Sequence, residues 1–258
     1  MTRIVHISDL HFGADDAELI EPLFDAVTGA EPNLIAVSGD LTQRARSSQF
    51  RAARAFLDRL PSPWICVPGN HDIPLHNPLM RWTIPYLNYR RFVDANLAPT
   101  ITVNDVRVHT LNTSDPYSWQ KGRLRDRQIT SACSGFSGFD GVRVLMCHHP
   151  FSQSRESHKQ LMPKAEETLS RLADCGTDLI LSGHLHRWWA EPFVQRKGVG
   201  RILQVHVGTG LSTRRRGQEN DFAILDFVDG GCRVHRMVAE GARFREDSVA
   251  WHQLNPKR

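Results

Sequence analysis

Five short apolar runs in the chain each end in a turn that carries His, Asp or Asn side chains. In chain order, the runs and their turns are Ile4–Ile7 before Asp9 and His11, Leu34–Val37 before Gly39 and Asp40, Trp64–Val67 before Gly69, Asn70, His71 and Asp72, Val142–Cys147 before His148 and His149, and Leu179–Leu181 before Gly183, His184 and His186. Short apolar runs bounded by such turns are typical of buried strands. Because ligand sites of α/β sheets lie beyond the carboxyl ends of the strands, the five turns are predicted to converge on one site.

Segments of helical spacing separate the first of these runs and predict βαβ units with parallel strands. Helices are expected over Asp15–Val27, Gln43–Leu60 and Lys164–Asp174, the last ended by Gly176. Further strands are expected over Ile101–Val103, Val106–Leu111, Arg201–Val207, Phe222–Phe227 and Cys232–Val238. The last three follow one another without helices, which indicates an antiparallel second sheet or an antiparallel sheet edge.

The stretch from Ile73 to Pro99 breaks this alternation with Pro and Asn residues and several aromatic side chains. Irregular stretches of this length inside a domain are often functional. We therefore expect a substrate-facing cap over residues 73–99, with a short helix around Tyr86–Ala95 and aromatic side chains that either pack inward or stack on a ligand. The whole chain, residues 1–258, is expected to form a single domain, since layered α/β domains often reach this length.

The charge balance favours an anionic ligand without indicating nucleic acid. The formal net charge is +4 and the isoelectric point is near 8.9, but the basic residues are spread widely rather than gathered into one tract. No uncharged stretch approaches the roughly 20 residues that a membrane span needs. The apolar run before Asp9 is too short for a signal peptide, so we expect neither a leader nor a membrane span.

The cysteines are odd in number and contain no CxxC pair. They stand at Cys66, Cys133, Cys147, Cys175 and Cys232. This spacing is typical of reduced thiols and predicts a cytoplasmic location. Without a suitably placed thiolate, a closed structural zinc site is not expected.

The side chains of the five turns have a donor chemistry in common. Carboxylate, amide and imidazole groups suit borderline divalent metals such as Mn, Fe, Co or Zn. Taken singly, each turn has an ordinary structural explanation as a surface turn or cap. That explanation needs a separate coincidence at every strand end, whereas one metal centre accounts for all five. Gly39, Gly69 and Gly183 fit this interpretation, because glycine lets the backbone turn sharply and approach ions or phosphate closely.

The order of these motifs resembles that of the calcineurin-like metallophosphoesterase superfamily, and in style the bacterial class III cyclic-nucleotide phosphodiesterases. The resemblance covers about Arg3–Asp226 and implies a four-layer α/β/β/α sandwich that holds two transition-metal ions, Mn, Fe, Zn or Co. It implies these ligands: Asp9, His11 and His186 for one ion, Asn70, His148 and His184 for the other, and Asp40 as the bridge. His149 is assigned a supporting place, since the first histidine coordinates in the family's His-x-Pro arrangement and Pro150 follows here.

The resemblance also implies a reaction. Two cations about 3.5–4 Å apart lower the pKa of a shared water and clamp a phosphoryl group for in-line displacement. The expected function is hydrolysis of a phosphodiester, by resemblance a small cyclic nucleotide, through attack of a hydroxide held between the ions. His71 is the expected general acid, and Asp72 is expected to orient it. Asn112 and Arg214 are further candidates for substrate contact, with a turn residue and a solvated charge as their respective alternatives.

Other functions fit the same residues. A phosphomonoesterase, a nuclease, or a lipid-linked or nucleotide-sugar diesterase would use the same centre, because substrate choice lies in the surrounding loops. A non-catalytic scaffold is the alternative of a different class, since the superfamily includes a retromer subunit that uses the fold for protein contacts. Lost ligands would favour the scaffold, and all the positions here are chemically competent. Similar phosphodiesterases are commonly homodimers, although no feature of this sequence decides the oligomeric state.

Overall fold

A computed structural model of the chain describes residues 1–152, 160–194, 201–228 and 230–254. Its strands are β1 (Thr2–Ile7), β2 (Leu34–Val37), β3 (Trp64–Cys66), β4 (Thr100–Val103), β5 (Val106–Leu111), β6 (Val142–Cys147), β7 (Leu179–Ser182), β8 (Trp189–Val194), β9 (Arg201–His206), β10 (Asp221–Val228), β11 (Gly231–Ala239) and β12 (Phe244–Gln253). Its α-helices are α1 (Ile20–Gly29), α2 (Ser47–Arg59), α3 (Pro78–Thr83), α4 (Leu87–Phe92), α5 (Asp126–Phe136) and α6 (Ala165–Asp174). Short 3-10 turns cover Ala17–Leu19 and Asn70–Asp72.

The strands form two mixed sheets of six strands each. The first has the order β12-β11-β10-β1-β2-β3, in which β1, β2 and β3 run parallel. The second has the order β4-β5-β6-β7-β9-β8, in which β5, β6, β7 and β9 run parallel. The parallel strands of each sheet therefore deliver their carboxyl ends to one edge, which is where ligand sites form in such sheets.

Three apolar cores separate four layers. The first lies between the helices α1 and α2 and the first sheet and contains Phe50. The second lies between the two sheets and joins Ile4 of one to Val144 of the other. The third lies between the second sheet and the helices α5 and α6 and contains Phe136 and Leu169. The layer order helix, sheet, sheet, helix confirms the predicted α/β/β/α sandwich.

Strand β2 shows why the central strands are continuous apolar runs. Leu34 and Ala36 face the core between the sheets, while Ile35 and Val37 face the core beneath the helices. All four side chains are fully buried. A strand covered on both faces has no solvent side, so its sequence does not alternate between apolar and polar residues.

Helix α2 begins later than the sequence predicts. Its apolar stripe is buried as expected, but residues 43–46 form a loop instead of the first helical turn. Gln43 in that loop accepts a hydrogen bond on its carbonyl oxygen from His71, and Thr42 just before it donates to Asp72. Tertiary contacts at the site thus take the place of the local helical hydrogen bonds.

The last strands only partly follow the prediction. Strands β10, β11 and β12 extend the first sheet as an antiparallel edge, as one of the two alternatives states. Strand β9 instead joins the second sheet and runs parallel to β7, because the chain crosses over before it. The elements that the sequence patterns do not predict are α3, α5, β8 and β12. In α5 the signal is present, since Ile129, Ala132 and Phe136 lie at helical spacing and are buried.

The stretch 73–99 contains two short helices, α3 and α4. Tyr89 is fully buried and packs edge-on against Phe50, and Phe92 stacks on the same ring. Trp82, by contrast, is 60% exposed. Tyr89 and Phe92 therefore pack inward, as one of the two expectations states, whereas stacking of an aromatic side chain on a ligand stays a prediction.

Two cysteines are bridged, which corrects the expectation of reduced thiols. Cys133 in α5 and Cys175 just after α6 form a disulfide with a Cα–Cα distance of 5.2 Å. Cys66, Cys147 and Cys232 are free and buried, and burial raises the pKa of each thiol. The bridged residues are 42 positions apart, so only the packing of α5 against α6 brings them together.

Among the described helices, none combines the length and the apolar character that a membrane crossing requires.

Candidate metal centre

The turns after β1, β2, β3, β6 and β7 meet where the carboxyl edges of the two sheets face each other. Two buried groups have ligand-capable atoms within 4.8 Å of one another: Asp9, His11, Asp40 and His186 in the first, and His148, His149 and His184 in the second. Asn70 lies against the second group, with its Oδ1 3.2 Å from His148 Nε2 and 3.0 Å from His184 Nδ1. The structure therefore brings together all seven residues that the sequence analysis assigns as ligands.

Asp9 has one satisfied and one unsatisfied carboxylate oxygen. Its Oδ2 accepts hydrogen bonds from Ser8 Oγ at 2.6 Å and from the backbone N–H of His184 at 2.9 Å. Its Oδ1 is buried and has no hydrogen-bond donor among the described residues, yet it lies 3.1 Å from Nε2 of His186. That nitrogen carries a lone pair in the neutral ring, because Nδ1 of His186 donates to the carbonyl oxygen of Arg214 at 2.9 Å.

The second group repeats this arrangement. Nδ1 of His148 donates to the carbonyl oxygen of Ser38 at 2.8 Å, which leaves the lone pair on Nε2. Nε2 faces two further acceptors, Asn70 Oδ1 at 3.2 Å and Asp40 Oδ2 at 3.4 Å. A second ring nitrogen that donates to a backbone carbonyl is the usual support of a metal-binding histidine.

Asp40 stands between the two groups. Its Oδ1 accepts a hydrogen bond from the backbone N–H of His71 at 2.8 Å. Its Oδ2 lies 3.6 Å from His11 Nε2 in the first group and 3.4 Å from His148 Nε2 in the second. One carboxylate oxygen thus faces both halves of the site.

The electrostatic surroundings of these groups favour positive charge at the site. Burial alone would raise the pKa of Asp9, but the nearby imidazoles of His186, His11 and His148 hold it well below its usual range. Burial alone would lower the pKa of His148, yet Asp40 raises it to about 9. Without metal, a proton therefore binds Nε2 of His148, which faces Asp40 and Asn70. A metal cation could bind at the same place.

These observations fit two transition-metal ions. Buried acceptors that face one another are unfavourable unless a cation or proton lies between them, and the orphaned Oδ1 of Asp9 marks such a place. Imidazole and carboxylate donors without a thiolate suit Mn, Fe, Co or Zn.

The backbone of the candidate ligands is strained. Asp9, His11, Asp40, His184 and His186 all have φ between 50° and 78°, in the left-handed region. Each such residue other than glycine costs about 1–3 kcal/mol, and residues of this kind cluster at functional sites. The left-handed conformation lets two candidate ligands that are separated by a single residue, such as Asp9 and His11, point into one centre.

Two glycines allow the strand ends to approach. A Cβ at Gly69 would lie less than 3.0 Å from Asp40 Oδ1, and a Cβ at Gly183 would lie less than 3.0 Å from Asp9 Oδ2. Any larger residue at either position would push a ligand carboxylate out of place.

His71 and Arg214 meet beside the first group. Nδ1 of His71 donates to the carbonyl oxygen of Gln43 at 3.0 Å, and Nε2 accepts a hydrogen bond from Arg214 Nη1 at 3.2 Å. The His71 ring lies edge-on to His11, with 4.8 Å between the ring centroids. Arg214, one of two sequence candidates for substrate contact, is thus placed at the centre.

Asp72 does not contact the ring of His71, although the sequence predicts that it orients this ring. Its carboxylate accepts hydrogen bonds from the backbone N–H groups of Leu41, Thr42 and Gly69 at 2.9–3.1 Å, and from the Thr42 hydroxyl. Asp72 therefore joins the turns after β2 and β3. The orientation of the His71 ring comes from Gln43 and Arg214 instead.

Asn112 lies apart from the two groups. Its Oδ1 accepts a hydrogen bond from the backbone N–H of Ser114, which is the turn role weighed as its alternative. It lines a separate cavity together with Tyr86 and Arg123. A substrate contact by Asn112 stays a prediction.

Sequence reasoning missed several supporting residues. Ser38 and Gln43 act through backbone carbonyls, which no sequence pattern reveals. The carbonyl oxygen of Trp119 accepts a hydrogen bond from Asn70 at 3.3 Å. His149, by contrast, is assigned a supporting place from the sequence, and it lies in the second group with its Nδ1 2.8 Å from Thr113 Oγ1.

Comparison with known proteins agrees with this geometry. A family model described as calcineurin-like phosphoesterase matches residues 2–188. A probable cyclic nucleotide phosphodiesterase of Synechococcus is 24% identical over 214 residues, which are 78% of each chain. Another of Rhodococcus erythropolis is 31% identical over 206 residues, covering 71% of this chain and 64% of that protein. A purple acid phosphatase from yellow lupin seeds superposes with a TM-score of 0.72 at 14% identity, covering 95% of this chain and 52% of that one.

The layered fold and the paired His/Asp groups at its strand ends define a metal-binding phosphoesterase. The chain belongs to the calcineurin-like phosphoesterase family, and the superfamily recognised from the motif order is confirmed.

Proposed function

We propose that the chain hydrolyses a phosphodiester, and that its substrate is a small cyclic nucleotide. The observation that carries the first part is Asp40, whose Oδ2 faces a histidine of each buried group. The second part is supported by the relatives named as probable cyclic nucleotide phosphodiesterases. Identity of 24–31% supports the reaction class more strongly than the substrate.

In this proposal the side chains of the site hold two ions of Mn, Fe, Zn or Co. Asp9, His11 and His186 would hold one, Asn70, His148 and His184 would hold the other, and Asp40 would be shared between them. Ions at these positions supply Lewis acidity, which polarises phosphoryl oxygens and lowers the pKa of water.

Arg214 and His71 act in sequence on the substrate. In the described contact, Arg214 donates to Nε2 of His71, so that nitrogen cannot carry a proton at the same time. An anionic phosphodiester offers the guanidinium a stronger, charge-assisted partner. Once Arg214 turns to the phosphoryl oxygens, Nε2 of His71 takes up a proton from solvent water, while the Nδ1–H stays on the carbonyl oxygen of Gln43. His71 then donates that proton to the leaving oxygen.

The test is turnover of a panel by protein supplied with Mn²⁺. The panel contains bis(p-nitrophenyl) phosphate, 2′,3′- and 3′,5′-cyclic AMP, p-nitrophenyl phosphate and DNA. Asp40→Ala is expected to abolish turnover, whereas Asp58→Ala, at an exposed Asp paired with Arg54, is expected to retain it. Wild-type kcat/KM in Asp40→Ala would disprove the proposed centre. Faster turnover of the monoester or of DNA would keep the centre and replace the substrate.

His71→Ala separates the acid role from simple placement of the substrate. We expect kcat to fall by about 10²–10⁴ on a cyclic nucleotide, whose alkoxide leaving group needs a proton. The loss on bis(p-nitrophenyl) phosphate should be much smaller, because p-nitrophenolate leaves without one. Equal losses on both substrates would remove His71 from the acid role.

Several further expectations stay predictions from the sequence. They are a single domain over residues 1–258 with a cap at 73–99, a homodimer, and a cytoplasmic location.

A further inference from the structure

The loop between β5 and α5 is fixed directly against the second buried group. We name residues 115–121 the aromatic loop. The carbonyl oxygen of Trp119 in this loop accepts a hydrogen bond from Asn70 Nδ2 at 3.3 Å. Just after the loop, Gly122 lies so close to His149 that a Cβ at Gly122 would come within 2.7 Å of three atoms of the His149 side chain. The loop backbone is thus part of the wall of the candidate metal centre.

Arg81 holds the other side of the aromatic loop. Its side chain is only 4% exposed, and its guanidinium donates to the carbonyl oxygens of Pro116 at 2.7 Å and Ser118 at 2.5 Å. The same guanidinium lies 5.7 Å from the centre of the Trp119 ring. A planar guanidinium that contacts two carbonyl oxygens of one loop restricts its backbone strongly.

The side chains of this fixed loop nevertheless face outward. Tyr117 is 73% exposed and Trp119 is 66% exposed. Both line a cavity of about 520 Å³ that also contains His184, a candidate ligand of the second ion. The cavity is within the roughly 300–1,000 Å³ range of small-molecule sites. Its other described lining residues, Gln120, Lys121 and Gln160 among them, are polar.

We propose that Trp119 stacks on the base of the substrate, so that the preferred phosphodiester carries a nucleobase. This inference rests on the proposed function, in which the phosphate would lie at the candidate metal centre that includes His184. An aromatic ring held by its backbone at the mouth of the centre offers a flat face at small entropic cost. The polar lining suits the hydrogen-bonding edge of a base and not an acyl chain. Arg81 is the positioning residue that sets the ring.

Kinetics on two phosphodiesters test this assignment. The substrates are 2′,3′-cyclic AMP and glycerophosphoethanolamine, which has no aromatic group. Trp119→Ala is expected to raise KM for the cyclic nucleotide about tenfold, from the loss of one base-stacking contact, and Trp119→Phe to restore most of it. KM for glycerophosphoethanolamine should stay at the wild-type value. The control is Trp251→Ala, at a 46% exposed tryptophan on β12, which should change neither KM.

Arg81→Lys tests the positioning role in the same assay. It is expected to raise KM for the cyclic nucleotide in the wild-type background and to have no further effect on KM in Trp119→Ala. Additive effects would show that Arg81 supports the fold but does not act through Trp119.

Fluorescence gives an answer that does not depend on turnover. Titrating Mn²⁺-loaded protein with AMP should quench tryptophan emission, and Trp119→Phe should remove that quenching while Trp251→Ala keeps it. Unchanged quenching in Trp119→Phe, or an equal rise in KM for both diesters in Trp119→Ala, would overturn the base-stacking role. If the protein hydrolyses glycerophosphoethanolamine but AMP does not quench its fluorescence, the base-stacking role is rejected and the proposed phosphodiester hydrolysis is kept. Quenching by AMP without hydrolysis of any diester would instead reject the proposed function and keep the base site.

Discussion

The close approach of two turns at the site makes Gly69 an informative position for a substitution. Its backbone is extended, with φ −94° and ψ −177°, so no left-handed conformation requires glycine there. Space alone excludes a side chain, because a Cβ would lie less than 3.0 Å from three atoms of Asp40, including its backbone nitrogen. A backbone atom cannot rotate away as the end of a flexible side chain can.

Gly69→Ala should therefore displace Asp40 from the centre. The two turns must separate by about 1 Å to reach ordinary van der Waals contact, and a misplacement of that size costs about 10²-fold in rate. We expect kcat/KM on bis(p-nitrophenyl) phosphate to fall about 100-fold, equivalent to about 2.7 kcal/mol. Overpacking should also lower the free energy of unfolding by about 1–3 kcal/mol. Metal content after dialysis should decrease in parallel.

Gly29→Ala is the matched control for this substitution. Nothing lies within 4 Å of a Cβ at Gly29, the last residue of α1. The change should leave kcat/KM unaltered and stabilise the protein by up to about 1 kcal/mol through helix propensity. Urea denaturation and circular dichroism show whether Gly69→Ala is folded. A folded Gly69→Ala protein with wild-type kcat/KM and metal content would refute the reasoning.

The remaining predictions concern hydrogen bonds, titration, the disulfide and substrate charge. Asp72→Ala leaves three buried N–H groups without an acceptor, so urea denaturation should show a loss of at least about 3 kcal/mol. Because Asp40 raises the pKa of His148 to about 9, a proton on His148 competes with metal below that pH. Metal affinity should rise with pH up to about 9, and calorimetry at pH 7.5 should detect proton release; affinity independent of pH would contradict this assignment. Replacing both Cys133 and Cys175 with Ser should lower the free energy of unfolding by about 2–4 kcal/mol, and an unchanged value would deny the bridge a stabilising role. Arg214→Met should raise KM for bis(p-nitrophenyl) phosphate about tenfold, from the loss of a charge-assisted hydrogen bond, and an unchanged KM would remove Arg214 from substrate binding.

The sequence by itself determined the class of fold and which polar side chains stand at the strand ends. Buried strands of parallel sheets need apolar side chains on both faces, so β2 stands out as a continuous apolar run. Each apolar run is followed in the sequence by a side chain that can bind metal, such as Asp40 or His148. This order can be read from the sequence without the structure. The convergence of the turns then follows from the general geometry of α/β sheets.

Only the tertiary structure decided which groups support and complete the centre. His71 and Arg214 are 143 positions apart, and their contact depends on the path of the loop that leads from β9 in the second sheet to β10 in the first. Asp72 could be placed beside His71 from the sequence, but its hydrogen bonds to the turn after β2 could not. The Cys133–Cys175 bridge and the outward-facing ring of Trp119 likewise come from helix packing and loop anchoring. The physical reason is that local pattern fixes which face of an element is apolar, whereas contacts between distant turns depend on how whole layers pack.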